Sequence, residues 1–450
     1  MNRDSINFER EDIPVLFRRI FLPTLLGMLC MSAMTITDGA FVGHGAGSDA
    51  LAAVNIFCPL WLLVSGVGLM LGIGCSVVAS IHLAKKNSKA ANINFTQTIV
   101  VGSCFSLPLL GIVFSLPIQT ARLMGASEQL MPLVLCYQRW MSVAFPAIFL
   151  QSVGLMLIRL DGSPRYAMFC SSLPSIVNVA LDYVFLFVLN MGLEGVAIAT
   201  CTGCWLGGLM VAFYFLKLNK RIFLYPLKWT RKSLLLMKRN ITYQLKIGFS
   251  AFLGDLSIAM LMFVGNYVFL KYMGENGVAA FAIACYIFPI AFMTGSAIAQ
   301  SAQPIISFNH GLQNTERVKE TKALAVKTAL FCSLVIIAAM TLAAKYIVSL
   351  FLSPAYEAYQ VAIEGLPYIS LGFVFFILNV VLIGYYQSIE KPRRASVLSI
   401  CRCAIFLIPM FMLMPEIAGE KGIWLAMPFS EALTTCLASW LYYKNNRQSV

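Results

Sequence analysis

Charged residues are scarce in this chain: Asp, Glu, Lys and Arg occupy 12% of its 450 positions, about half the share of an average soluble domain. Too little polar surface remains to face water, which excludes a water-soluble fold. Histidine is scarcer still. His44, His82 and His310 are the three in the chain, and all fall at loop edges, which excludes a buried histidine proton relay and leaves carboxylates as the titrating groups. No residue spacing forms a metal cluster, a nucleophile motif or a phosphate loop, so a membrane-embedded enzyme has no support and no cofactor is expected. The 13 cysteines show no regular loop spacing, which argues against a disulfide framework. Cys201 and Cys204 form a CxxC, but inside an apolar segment, and no redox or metal role is assigned to them.

What is present is hydrophobic: 59% of positions, with a mean hydropathy of +0.79. A spanning helix needs about 20 mostly apolar residues. Twelve such runs fit, at residues 20–42, 51–82, 94–117, 131–158, 166–189, 194–216, 246–270, 278–305, 323–351, 362–388, 395–414 and 422–443. The expected fold class is an all-α integral membrane protein of twelve transmembrane helices. The first nineteen residues carry Arg3, Arg10, Arg18 and Arg19 and lead into a full-length run with no small-residue cleavage site, so they read as the start of a retained helix. Of the 33 Lys and Arg, 27 fall at the N-terminus, in alternate loops and in the C-terminal tail. The positive-inside rule then places both termini in the cytoplasm, which requires an even number of spans. Topology accounts for the net charge of +13, and no nucleic-acid partner is needed. The expected setting is the inner or plasma membrane of the cell, as a monomer.

Weak internal matches recur at nearly one offset. Gly47-Ser-Asp-Ala-Leu-Ala-Ala returns as Gly274-Glu-Asn-Gly-Val-Ala-Ala, shifted by 227; Pro164-Arg165 returns as Pro392-Arg393, shifted by 228; Gly192-Leu-Glu-Gly195 returns as Gly419-Glu-Lys-Gly422, shifted by 227. Three matches in order, at about half the chain, point to a duplicated six-helix unit. Six is even, so the two units face the same way, as parallel repeats that can rock around a central site. The expected division is an N-terminal lobe over 1–216, a cytoplasmic basic linker over 217–246 and a C-terminal lobe over 247–450. The linker holds nine Lys or Arg among Phe223, Tyr225, Trp229 and Leu234 to Leu236. It reads as an amphipathic helix lying on anionic lipid of the inner leaflet.

Ionisable groups inside spans cost roughly 2.5 to 3.5 kcal/mol on insertion scales and usually face a cavity or a partner. Four acids qualify: Asp38, Asp182, Asp255 and Glu431. Ser171, Ser175, Asn178 and Asp182 are spaced 4, 3 and 4 apart, which sets them on one helix stripe. Asp38 lies at comparable depth by residue count, and Thr200 offers a further oxygen. Two buried carboxylates cannot both stay charged without a neutralising partner, so the set can hold a proton or a small hard cation, with Na+ possible at Asp38, Asn178 and Asp182. The plain alternative is that these groups only join helices by hydrogen bonds.

The second half differs. Asp255 and Asn266 lie on one face of their helix, and Ser296, Gln300, Gln303 and Ser307 repeat the 4, 3, 4 spacing. Both stripes are candidates for a cargo cavity, as is Ser175 in the first half. Arg402 and Glu431 are further cavity candidates, with an internal ion pair between them as the structural alternative. Shifting Asp38, Asn178 and Asp182 by 227 lands on Gly265, Ile405 and Pro409. The acid cluster therefore has no copy, and the coupling ion is assigned to the N-terminal lobe. The 22 Met and 32 Phe offer soft and aromatic surfaces for apolar cations, though most face lipid or pack.

Asp38-Gly-Ala-Phe-Val-Gly43 followed by Leu51-Ala-Ala resembles the first-helix pattern of the multidrug and toxic compound extrusion (MATE) family. Arg159, Gly162 and Pro164, then Asn178 and Asp182, then Gly192 with Gly195-Val-Ala-Ile-Ala-Thr200 are similar to that family's helix 4 to 6 signature. Gln303-Pro304 with Phe308-Asn309-His-Gly311 resembles its segment after helix 8. The resemblance spans nearly the whole chain. It implies two pseudo-symmetric six-helix bundles in a V and efflux of cationic or amphipathic xenobiotics against inward H+ or Na+. It also implies cation or proton binding at Asp38, Asn178, Asp182 and Thr200. Some members carry a tyrosine four residues before the first Asp, where this chain has Met34, a departure that bears on Na+ coordination and leaves protonation untouched. A rival within the same architecture is a flippase or exporter of lipid-linked sugars or polysaccharide. Its pyrophosphate would call for several Arg or Lys in the cavity, where the spans supply Arg402.

Overall fold

The computed structural model describes residues 6–349 and 354–447; Arg3 and the last two residues of the ninth expected crossing, 350 and 351, lie outside the described residues. Among those described, all regular structure is helical. The chain runs through α1 (Ile13–Gly45), α2 (Ser48–Ala84), α3 (Ser88–Ser115), α4 (Pro117–Leu123), α5 (Met131–Val143), α6 (Phe145–Leu160), α7 (Pro164–Tyr183) and α8 (Gly192–Phe213). There follow α9 (Arg231–Gly311), α10 (Thr315–Leu342), α11 (Ala344–Ser349), α12 (Glu357–Ser370), α13 (Gly372–Ser388), α14 (Pro392–Ile400) and α15 (Leu407–Arg447). Single π-helical turns, Val184–Val188, Tyr214–Leu218 and Cys401–Ile405, extend α7, α8 and α14.

These elements resolve into twelve crossings. The 81-residue α9 is broken at Gly274, and α15 is broken at Gly419. Two pairs of shorter helices, α5 with α6 and α12 with α13, each form one span bent by 47° and 43°. The first bend has a local cause, since Pro146 beside it removes a helical hydrogen bond across it; Pro367 lies inside α12, four residues before the second.

The internal repeat is written into the backbone more clearly than into the side chains. Left-handed φ values occur in pairs at the repeat offset: Gly47 (90°) with Gly274 (64°), Lys86 (58°) with Gln313 (62°), Gly162 (85°) with Glu390 (55°), and Gly192 (59°) with Gly419 (58°). The bends at Ala144 and Leu371 are also 227 residues apart. Turn geometry is thus shared between halves even where one half uses glycine and the other a residue for which that φ is strained.

The chain forms two compact units. The first runs to Gly248 and takes in Ser307–Asn314; the second holds Phe249–Ile306 and the chain from Thr315 on. In the first, Phe57 packs edge-on to Tyr137 at 5.6 Å and stacks with Phe145 at 6.2 Å, tying α2, α5 and α6 together. In the second, Phe269 stacks on Phe281 at 4.5 Å and meets Trp424 at 4.7 Å, while Phe288 meets Phe373 at 5.7 Å. Gly365 lets its helix close onto Trp424, since a Cβ there would fall 2.0 Å from the indole.

The linker is not the single amphipathic helix expected over 217–246. Residues 219–230 are non-helical, and helix resumes at Arg231 and runs on into the seventh crossing. The reason lies in captured amides. Buried Asp161 accepts from the backbone N–H of Lys220 (2.8 Å), Arg221 (2.7 Å) and Ile222 (3.0 Å), and from the Tyr214 hydroxyl (2.7 Å). Asn92 and Thr96 of α3 then accept from Phe223 and Tyr225 at 3.0 and 2.8 Å, and Pro226 has no N–H to give. Amides held by side chains are unavailable for a helix.

Candidate functional site

α1 and α7 cross tightly because small residues sit at both ends of the crossing. A Cβ on Gly27 would lie 2.4 Å from Ser171 Oγ, and one on Gly45 would lie 2.4 Å from Leu186 Cδ2. Between them, the crossing brings Asp38 of α1 against Asp182 of α7. Their carboxyls lie close enough to act on each other, and Asn178, one turn earlier, adjoins Asp182. Asn178 is in turn placed by α8. Its Nδ2 donates to Thr200 Oγ1 at 3.2 Å, and Gly203 admits the close approach, with a virtual Cβ 3.1 Å from Asn178 Cβ.

The oxygens are left without donors. Asp38 Oδ1, both carboxylate oxygens of Asp182 and Asn178 Oδ1 are buried with no hydrogen-bond partner. Asp182 is fully buried and Asn178 is 1% exposed. Among the described residues neither acid enters an ion pair. An unsatisfied buried polar atom costs roughly 1 to 3 kcal/mol, and like charges side by side add to that. A proton shared between the carboxyls, or a small hard cation on three or four oxygens, removes both penalties. The donor set therefore fits H+ or Na+.

Ser171 and Ser175 share the stripe but direct their hydroxyl protons to their own helix. Ser175 Oγ donates to Ser171 O at 2.8 Å and Ser171 Oγ to Met168 O at 2.9 Å. Tyr137 of α5, buried at 4% exposure, stands close enough to feel both Asp38 and Asp182. Sequence reasoning passed over it, because a lone tyrosine in an apolar run carries no periodic signal. Met34, one turn before Asp38, is half-buried.

The second unit carries its charges differently. Arg402 Nε donates to Glu431 Oε1 at 2.7 Å, and Asn379 Nδ2 donates to Glu431 Oε2 at 2.7 Å. Thr435 donates to Asn379 Oδ1 at 2.9 Å, and the guanidinium lies 4.0 Å over the Phe376 ring. The pair is internally neutral and both Glu431 oxygens are satisfied, which is the arrangement of a helix-joining ion pair. Asn379 is the member that sequence spacing did not reveal. Asp255 is half-buried and, among the described residues, in no ion pair. Asn266 is exposed, while Gln300 and Gln303 are buried on the later part of α9. No partner joins Asp255 to Asn266 among the described contacts, so the two share a helix face without forming a joint cluster.

The MatE family profile matches residues 23–184 and 251–413. The chain is 25% identical over 92% of its length to the FAD transporter of Shewanella oneidensis, covering 90% of that protein. It is 23% identical over 97% of its length to the multidrug export protein MepA of Staphylococcus aureus, covering 95% of it. A solved structure described as the outward-facing conformation of a multidrug resistance MATE family transporter superposes over the whole chain and 98% of its own, with a TM-score of 0.90 at 21% identity. A MOP superfamily transporter from Pyrococcus furiosus, described as having a binding pocket of reverse polarity, superposes over 99% of the chain and 98% of its own, with a TM-score of 0.87 at 22% identity.

Proposed function

The chain belongs to the MatE family, and from that membership we propose that it is a secondary exporter of organic cations, coupled to inward H+ or Na+ at Asp38, Asn178, Asp182 and Thr200. One observation supports the ion site above the rest: four buried oxygens on three neighbouring side chains accept no hydrogen bond. In the Arg402 cluster, by contrast, both Glu431 oxygens and the Asn379 amide are satisfied, and Arg402 Nη2 is the atom left without a partner. Ion binding at the acid pair shifts the population of the outward-open state, because only differential affinity for two states moves such a balance.

In this reading residues 1–216 bind the coupling ion, 217–246 link the lobes in the cytoplasm, and 247–450 contribute Asp255, Asn266, Gln300 and Gln303 to the cargo path. Ser175 lines the same stripe as the ion site. Arg402 and Glu431 hold α14 to α15 and stay outside the ion cycle. The protein works as a monomer in the plasma membrane with both termini inside.

The test is ethidium efflux from energised vesicles with a pH gradient and a Na+ gradient imposed separately. Asp38→Asn and Asp182→Asn are expected to abolish gradient-driven efflux; wild-type rates in both would end the ion-site reading. Because one relative is named an FAD transporter, a flavin dinucleotide arm belongs in the same assay. Flavin movement without ethidium movement would replace the cationic cargo with an anionic one and leave the ion site to be judged by the two Asn variants.

A further inference from the structure

From Gly195 to Gly254 the chain has no acidic residue and nine basic ones. Three turns of α9 at the centre of this stretch divide into two faces. At about 100° per residue, Ser233, Met237, Asn240, Ile241 and Gln244 fall within one arc. That arc is bound to the first unit. Asn240 Nδ2 donates to Gln97 Oε1 at 3.0 Å, Gln244 Nε2 to Asn94 Oδ1 at 3.1 Å, and Thr98 to Gln244 Oε1 at 2.7 Å. Gly74 allows the contact, since a Cβ there would lie 2.1 Å from Gln244 O.

The opposite arc faces outward. Arg231 and Lys238 form one row seven residues apart, and Lys232 and Arg239 form a second, each pair about 10 Å apart along the axis. Leu235, 62% exposed, lies between the rows, with Leu234 and Leu236 at their flanks. Lys228 and Trp229, the latter 66% exposed, precede the Thr230 N-cap, whose side chain accepts from Ser233 N at 3.3 Å. Among the described residues none of the five cations enters an ion pair.

We infer that this arc, Lys228 to Arg239, is a docking surface for anionic phospholipid headgroups of the leaflet it faces. The leucine ridge and Trp229 enter the acyl boundary while the two cationic rows reach phosphates on either side. Exposed apolar side chains flanked by cations suit an anionic interface and would be a liability in open water. Cations that enter no ion pair among the described residues select anionic over zwitterionic headgroups. The helix is fixed from behind by its polar arc, so the cations meet the lipid at a set spacing rather than as a mobile tail. This site is independent of cargo and coupling ion.

The test uses the full-length protein in nanodiscs carrying brominated phosphatidylglycerol or brominated phosphatidylcholine. The quenching that is lost in Trp229→Phe isolates the signal of this surface. That signal should respond to brominated phosphatidylglycerol at a mole fraction at least about tenfold lower than to brominated phosphatidylcholine, each cation being worth about fivefold. Joint replacement of Lys228, Arg231, Lys232, Lys238 and Arg239 by Gln should equalise the two lipids. Arg231→Gln with Lys232→Gln alone, a milder change, should lose an intermediate part. Equal quenching in the wild type, or selectivity retained by the fivefold variant, overturns the inference. Displacement of phosphatidylglycerol by millimolar inorganic phosphate also overturns it, by making the surface a site for soluble polyanions.

Discussion

Asp182 sits where a folded protein would ordinarily tolerate neither charge nor an unpaired oxygen, and this gives a stability prediction separable from transport. Asp182→Asn supplies an N–H that can donate to Asp38 and removes a like charge, so the variant should be more stable by about 1 kcal/mol or more. A higher thermal midpoint in detergent, together with lost gradient-driven efflux, is the expected outcome. Such an exchange of stability against activity marks a site strained for function. A lower midpoint would mean that the acid is structural. The Arg402 and Glu431 pair predicts the opposite pattern. Arg402→Met alone strands a buried carboxylate and should destabilise by about 3 to 5 kcal/mol, whereas Arg402→Met with Glu431→Leu should recover most of that. Thermal midpoints of these two variants and of Glu431→Leu alone close the cycle, and transport by the double variant should persist.

At the scale of the element, the acid stripe was legible because α7 obeys a helical period: Ser171, Ser175, Asn178 and Asp182 share one face in the sequence and in the structure. Tyr137 and Asn379 were not legible, because each reaches its cluster from another helix by tertiary packing, which leaves no local spacing. The linker misled for a related reason. Its pattern of cations and apolar residues suits a helix, but Asp161, sixty residues back, takes the amides that a helix would need. Asp161→Ala should therefore free residues 219–225 and open Arg221 and Lys228 to trypsin, with cleavage fragments on a gel as the readout. Unchanged protection would show that Asn92 and Thr96 hold the segment unaided. The paired positive φ angles allow a finer test. Gly274→Ala and Gly419→Ala should each destabilise by about 1 kcal/mol, while Glu390→Gly, at φ 55°, should cost little or help.

At the scale of the molecule, the duplicated backbone and the unduplicated acid pair together constrain the energetics. Gly265, Ile405 and Pro409 stand at the repeat positions of Asp38, Asn178 and Asp182, so one half of a duplicated scaffold carries the acid pair. On the proposed coupling, two adjacent buried carboxyls would hold at least one neutralising proton or cation throughout and one further ion would complete them, an exchange of one charge per cycle. Export of a monovalent cation works against about 2.3 kcal/mol per 100 mV of membrane potential, and one entering H+ or Na+ cancels that term. The chemical gradient of the ion is then the sole drive, at about 1.4 kcal/mol per tenfold difference. In proteoliposomes with the potential clamped by valinomycin and K+, ethidium accumulation should be indifferent to an imposed 100 mV (~2.3 kcal/mol per charge). It should rise about tenfold for each tenfold gradient of the coupling ion. Acceleration by the potential alone would require a second coupled charge, and Asp255, the half-buried acid of the other unit, is where Asp255→Asn should then remove the voltage response while leaving gradient-driven exchange in place.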